Sequence, residues 1–350
     1  MKNLLTASII IMGIVFAQSP DELYNSARSN LDSGDLLKAE NEYKSAVEMD
    51  PSFAPAYAGL AIVAMRKGDL RQSNTYLKEA IEADPENKDF RQEFERLSEL
   101  NTLMGKGIRS MKNGDIDNAF ESFRIAYEKF PQYPESVFNM GLTHFRNKDF
   151  TEAVNYFNKT IEINPDHKNA LTAIKNVAKN FFNKGNQLYK RGDLEGALSS
   201  YDEVLNVDKT FYQAHFQVGV IQSKMGDKDK ADQSYEKSIE INPQFYKAYF
   251  ALGLAKNSTN DTDGALTALQ SAIDINPSYD KAYGAMGDIY IQQKDYDKAK
   301  QTLKMATTVN PSYSKGYANL GVIFSEEKEW NQAIASLEMA VALNERDATS

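Results

Sequence analysis

The chain has 350 residues, a formal net charge of −9 and no cysteine. The acidic balance argues against nucleic acid as a partner, because backbone phosphates want a basic stripe. The missing thiol excludes disulfides, Cys-ligated zinc, iron–sulfur clusters, thiol catalysis and a thiol-anchored lipid.

From the N-terminus, residues 1–17 (MKNLLTASIIIMGIVFA) read as a secretory signal peptide. Lys2 supplies the positive end, residues 4–16 the apolar core, and Val15, Phe16 and Ala17 a small-residue cleavage site. That core is shorter than the ~20 residues needed to span hydrocarbon, so cleavage near Ala17/Gln18 is expected, with no stable membrane span afterwards. Removing Lys2, one of 40 basic residues, leaves 39 against 49 acidic, a net of −10. The mature chain is expected to be exported, periplasmic or secreted.

Beyond the leader a 34-residue step recurs, as from Pro51 to Pro85, Pro131 to Pro165 and Pro243 through Pro277 to Pro311. It divides the chain into nine repeats at 20–53, 54–87, 100–133, 134–167, 178–211, 212–245, 246–279, 280–313 and 314–347. A fixed step of this size means stacked helical hairpins rather than one globular core. Each repeat carries a small residue in its first helix, such as Gly107, Gly141, Gly219 and Gly253. Alanine opens most second helices (Ala119, Ala153, Ala231, Ala265), and a large packer follows, such as Phe123, Phe157, Tyr201 or Tyr235. Small side chains let two helices approach at the short end of the ~8–10 Å range. Gly-Asp turns at 34, 68, 114, 192 and 226 separate the two helices, and Lys148, Asn260, Lys294 and Lys328 stand before an acid in the other four repeats.

Two spacings are longer. Pro85 to Pro131 is 46 residues and Pro165 to Lys209 is 44, which inserts 12 and 10 at residues 88–99 and 168–177. Neither insertion contains Gly or Pro. Phe90, Phe94, Leu97, Met104 and Ile108 keep helical spacing in the first, and Leu171, Ile174, Val177 and Phe181 in the second. Each should lengthen the following first helix to ~25 residues or ~37 Å. The expected organisation is 18–87 (repeats 1–2), 88–167 (long helix and repeats 3–4), 168–347 (long helix and repeats 5–9) and a tail at 348–350.

The columns resemble the tetratricopeptide repeat family over nearly all of the mature chain. The resemblance implies an all-α, right-handed superhelical solenoid of nine helix-turn-helix repeats, with a concave face lined by first-helix residues. In the first repeat Ser26 and Asn30 fill normally apolar slots, which suits a solvent-facing cap.

Nothing in the sequence points to catalysis, a cofactor or a metal. His144, His167 and His215 are scattered, without the four-residue pairing that zinc-binding helices use, and His215 reads as core packing. No phosphate loop, nucleophile elbow or dinucleotide fingerprint appears. Three N-glycosylation sequons read as chance.

The informative constellation is on the inner face. One slot holds Phe138, Phe182, Phe216 and Phe250, and one turn later stand Leu142, Asn186, Val220 and Leu254. Met104 and Ile108, then Ala58 and Ile62, continue the stripe towards the N-terminus. The rings either fill a tight interior or line an apolar groove for a protein or peptide. Beside them run Lys179, Gln213, Lys247, Lys281 and Lys315, so an apolar ligand with acidic character is expected. A second basic row (Arg66, Lys112, Arg146, Lys190, Lys224) sits before the turns. The ninth repeat should leave Ile334, Leu337 and Val341 partly unshielded, which points to self-association or docking through residues 314–350. The expected function is a non-catalytic scaffold or adaptor. The alternative is an assembly factor of a larger envelope or secretion complex, acting through lateral and C-terminal surfaces.

Overall fold

The computed structural model describes residues 18–349, so the leader at 1–17 lies outside the described residues. They form eighteen helices and no strand, in two compact units divided between Ile174 and Lys175. The first unit holds α1 (Pro20–Ser33), α2 (Leu36–Met49), α3 (Ala54–Arg66), α4 (Leu70–Ala83), α5 (Lys88–Lys112), α6 (Ile116–Lys129), α7 (Pro134–Arg146) and α8 (Phe150–Ile163). Helix α9 (Lys168–Lys190) contains the division. The second unit continues with α10 (Leu194–Val207), α11 (Tyr212–Met225), α12 (Lys228–Ile241), α13 (Tyr246–Ser258) and α14 (Thr262–Ile275). It ends with α15 (Asp280–Gln292), α16 (Tyr296–Val309), α17 (Ser314–Glu326) and α18 (Trp330–Thr349). Both insertions are helical: α5 runs for 25 residues and α9 for 23.

The sequence columns are the contacts that make each hairpin. A Cβ added to Gly107 would lie 2.4 Å from the Phe123 ring, and one on Gly219 would lie 2.7 Å from Tyr235. The packer of the second helix therefore seats directly on first-helix backbone. The first helix of the next repeat then covers its other side. Tyr43, Leu77, Phe123, Phe157, Tyr201, Tyr235, Leu269 and Leu303 are all at most 3% exposed, whereas Leu337 on α18 is 40% exposed. Ile334 and Val341 beside it are also open, as the sequence led one to expect.

The repeat boundaries are set by side-chain chemistry. At the closing Asn or Asp, the carboxyl or amide oxygen accepts the backbone N–H two residues on, as Asp50 does from Ser52 at 2.9 Å and Asn310 from Ser312 at 3.0 Å. Such turns mimic a backbone turn, and proline between the two residues fixes φ. Asp208 makes the same bond to Thr210 without proline, at 2.9 Å, which explains why that repeat keeps its boundary. Within hairpins an aspartate caps most second helices, for example Asp69 accepting from Gln72 at 2.9 Å and Asp193 from Gly196 at 2.9 Å. The first-repeat cap is polar and satisfied, since Ser26 and Asn30 both donate to the Glu42 carboxylate at 2.9 and 2.7 Å.

The second basic row ties consecutive repeats together. Arg66 donates to the Leu31 carbonyl at 2.7 Å and Arg146 to the Met111 carbonyl at 2.6 Å, each at the end of the preceding first helix. Lys224 lies over the Tyr189 ring, 4.5 Å from its centroid.

All nine turns reach the left-handed region, with glycine at φ between 82° and 90° in five, and Lys148, Asn260, Lys294 and Lys328 at 60–64° in four. A side chain there costs roughly 1–2 kcal/mol. Replacing Lys294 or Lys148 by glycine should therefore raise stability by about 1 kcal/mol, read as a higher urea midpoint, while Gly114→Val lowers it. Phe123→Ala should cost ~3–5 kcal/mol, and Leu337→Ala, already part-exposed, ~1–2 kcal/mol.

Candidate functional site: an apolar groove in the second unit

In the second unit Phe182, Phe216 and Phe250 project from consecutive first helices. Each ring packs on the aromatic that precedes the next first helix. Phe182 meets Phe211 at 5.1 Å between centroids, Phe216 meets Phe245 at 5.2 Å, and Phe250 meets Tyr279 at 5.1 Å. Phe182 and Phe216 also touch the packers of their own hairpins, Tyr201 at 5.5 Å and Tyr235 at 5.9 Å. Each ring thus takes part in the aromatic packing between hairpins while remaining only half-buried.

Between α11 and α13 the exposed sides enclose a cavity of about 380 Å³. Phe216, Val220, Phe250 and Leu254 form its apolar wall, and Lys247 stands at it. Leu254 is 45% exposed. Ser223, Ser258, Tyr235 and Tyr279 add hydroxyls. Burial pushes the Tyr235 phenol up to about 12 and raises that of Tyr279, so both stay neutral at physiological pH. This volume lies within the roughly 300–1,000 Å³ typical of ligand pockets.

The other expected groove residues are placed differently. Asn186 accepts the Tyr201 hydroxyl at 2.7 Å, so its amide oxygen is already engaged in the hairpin. Lys315 pairs with Asp288 at 2.6 Å, and Asn319 donates to the same carboxylate at 2.5 Å. The Asp288 hydrogen bond raises the Lys315 pKa. Asp288 occupies the slot of Val220 and Leu254 one repeat on, so the apolar stripe stops there. In the ring slot of that repeat stands Gly284, where an added Cβ would meet the Tyr313 hydroxyl at 2.2 Å. Lys179, Lys247 and Lys281 are exposed, and none has an acidic partner among the described residues.

Phe138 is buried and Leu142 half-buried. Phe138 is buried between Phe157 and His167, at 5.5 and 5.0 Å. Leu142 packs against a core cluster that joins Leu70 of the second repeat to Tyr133 and Met140 of the third and fourth. The turn of the second repeat reaches this face, because a Cβ on Gly68 would lie 3.0 Å from the Glu135 carboxylate.

His167, which looked incidental in the sequence, holds that arrangement. It is 5% exposed. Its Nδ1 accepts the Ala170 backbone N–H at 3.1 Å, which assigns the proton to Nε2, and Nε2 donates to Glu135 at 2.9 Å. The signal was positional, since His167 occupies the column of Phe211, Phe245 and Tyr279. His215, read as core, is half-buried with Nε2 at 3.0 Å from the Lys209 carbonyl. His144 stacks on Tyr156, with Nδ1 3.1 Å from Asp149. Among the described residues no group of three or more His, Asp or Glu could hold a metal ion, and no helix is long and apolar enough to cross a membrane.

Family models described as tetratricopeptide repeat match residues 30–93, 134–167, 212–245 and 258–320, and one described as TPR repeat matches 185–226. Together they span more than half of the chain, which therefore belongs to the tetratricopeptide repeat family. Among curated relatives, tetratricopeptide repeat protein 6 of Homo sapiens is 26% identical over 142 residues, covering 39% of this chain and 24% of that protein. A TPR repeat-containing protein of Methanocaldococcus jannaschii is 26% identical over 162 residues, 35% of this chain and 29% of its own. The chain thus spans less than a third of either relative. Among solved structures, MamA is 25% identical with a TM-score of 0.44, over 47% of this chain and 97% of that one. Yeast Tom70 is 14% identical with a TM-score of 0.43, over 94% of this chain and 86% of its own.

His167→Ala leaves the Glu135 carboxylate and the Ala170 N–H without their partners. It should cost ~1–3 kcal/mol and raise amide hydrogen exchange at residues 66–70 and 133–137 ahead of the rest of the first unit.

Proposed function

We propose that this protein is a non-catalytic scaffold that captures a segment of a partner protein in the groove of its second unit, outside the cytoplasm. The observation that carries the reading is the cavity between α11 and α13, where four apolar side chains and an ion-pair-free lysine face the same open space. Family membership supports protein binding as the general task. An apolar side chain of the partner fills the space between Phe216 and Leu254, and an acidic side chain or terminal carboxylate beside it meets Lys247. The exported location is supported by the leader at residues 1–17 and is tested by N-terminal sequencing of mature protein, expected to begin at Gln18.

Leu254→Glu and Lys247→Glu change exposed atoms and should leave the melting temperature within a degree or two. Each should nonetheless weaken capture of an acidic, leucine-containing peptide library by at least about tenfold, or ~1.4 kcal/mol. Undiminished capture by both variants would contradict this site.

A second reading has its own observation. The α18 side chains Trp330, Ile334, Leu337 and Val341 are 40–60% exposed, whereas α2, α4, α6, α10, α12, α14 and α16 each pack against the next first helix. Assembly through this face predicts that Leu337→Glu with Ile334→Glu lowers the mass measured by light scattering at high concentration, leaving peptide capture intact.

A further inference from the structure

Residues of the first insertion help to line a slot beside α3 and α4. Between α3, α4 and the inserted half of α5 lies a cavity of about 240 Å³. Ile62 and Met65 line it from α3, Leu77 from α4, and Phe90 and Leu97 from α5. Helix α5 rests chiefly on α4 and α6, as α13 rests chiefly on α12 and α14. The inserted turns of α5 face α3 across this space. Ile62 remains 39% exposed at its floor. The volume falls below the roughly 300–1,000 Å³ of small-molecule sites, which suits one side chain rather than a cofactor.

The rim has the opposite charge to the groove of the second unit. Asp89 and Glu93 both line the slot. They stand one turn apart on one face of α5, where like charges repel by a few tenths of a kcal/mol. Asp89 is exposed and has no cationic partner among the described residues. Glu93 has only Arg96, at 2.7 Å in a pair whose side chains are 33% and 52% exposed, and such pairs hold weakly. Arg96 is also drawn aside over the Phe130 ring, 5.3 Å from its centroid.

We infer that this slot receives one apolar side chain, such as leucine or phenylalanine, from a partner peptide whose adjacent residue is lysine or arginine. The apolar side chain covers Ile62 and Leu97, and the cation sits between Asp89 and Glu93, relieving their repulsion. The site is independent of the groove around Leu254 and stands or falls without it.

The test is a methyl NMR titration of the full mature chain with three capped hexapeptides, Gly-Gly-Leu-Lys-Gly-Gly and its Leu-Glu and Ala-Lys counterparts. The Leu-Lys peptide is expected to shift Ile62 and Leu97 methyls, with Leu254 unmoved, and to bind at least about fivefold more tightly than either counterpart. Raising salt should erode the preference over Leu-Glu. Asp89→Asn with Glu93→Gln should abolish that preference at unchanged melting temperature, and Ala58→Phe, placed in the slot lining, should block all three. Equal binding of Leu-Lys and Leu-Glu, no shift at Ile62 at saturating peptide, or equal binding of free phenethylamine would overturn the assignment.

Discussion

The structure depends on one contact repeated along the chain: a large side chain of each second helix, seated on first-helix backbone and covered by the next hairpin. Tyr201, Phe157 and Phe123 are fully buried by that means although no globular centre exists. The contact fixes helix separation through glycine, fixes the repeat step through helix length, and makes each hairpin's stability a property shared with its neighbours. It also explains why the ring slot of Phe182, Phe216 and Phe250 is two-sided. The packer below takes one edge of Phe182 and Phe216, Phe211 and Phe245 meet another, and the rings stay half-buried.

Local departures from the repeat set the limits of the proposed groove and the lining of the slot beside α3. The inserted turns of α5 line, with α3 and α4, an apolar slot with an acidic rim. Placing Asp288 in the stripe ties down Lys315 and ends the groove. In the first unit the Gly68 turn lies against Glu135 and Phe138 is buried on His167, so that ring does not line an open groove. The two units thus share a repeat yet offer different surfaces, basic and open around Lys247, acidic and narrow around Asp89.

Most of the fold was legible in the sequence because its signals are local or strictly periodic. The 34-residue step, the glycine and packer columns and the helical insertions all depend on residues within about one repeat of each other. The candidate site was only partly legible. Phe216, Val220, Lys247, Phe250 and Leu254 converge as their spacing implied. The burial of Phe138 depends on His167, 29 positions away, and the cluster that Leu142 packs against reaches Leu70 two repeats earlier. Periodicity carries no information on such contacts. The pairing of Lys315 with Asp288 spans 27 residues, and a row of lysines read in one column cannot show which of them has an acid across the groove. The left-handed turns at Lys148 and Lys294 were hidden for a different reason, since lysine is not a residue that advertises positive φ.

The most direct measurement of the central claim is native-state hydrogen exchange on the Gly219→Val variant, resolved helix by helix. Crowding the Tyr235 seat should abolish protection in α11 and α12, weaken it in α10 and α13, and leave α1–α4 unchanged. Uniform loss of protection from α1 to α18 would show a single cooperative core and contradict the account.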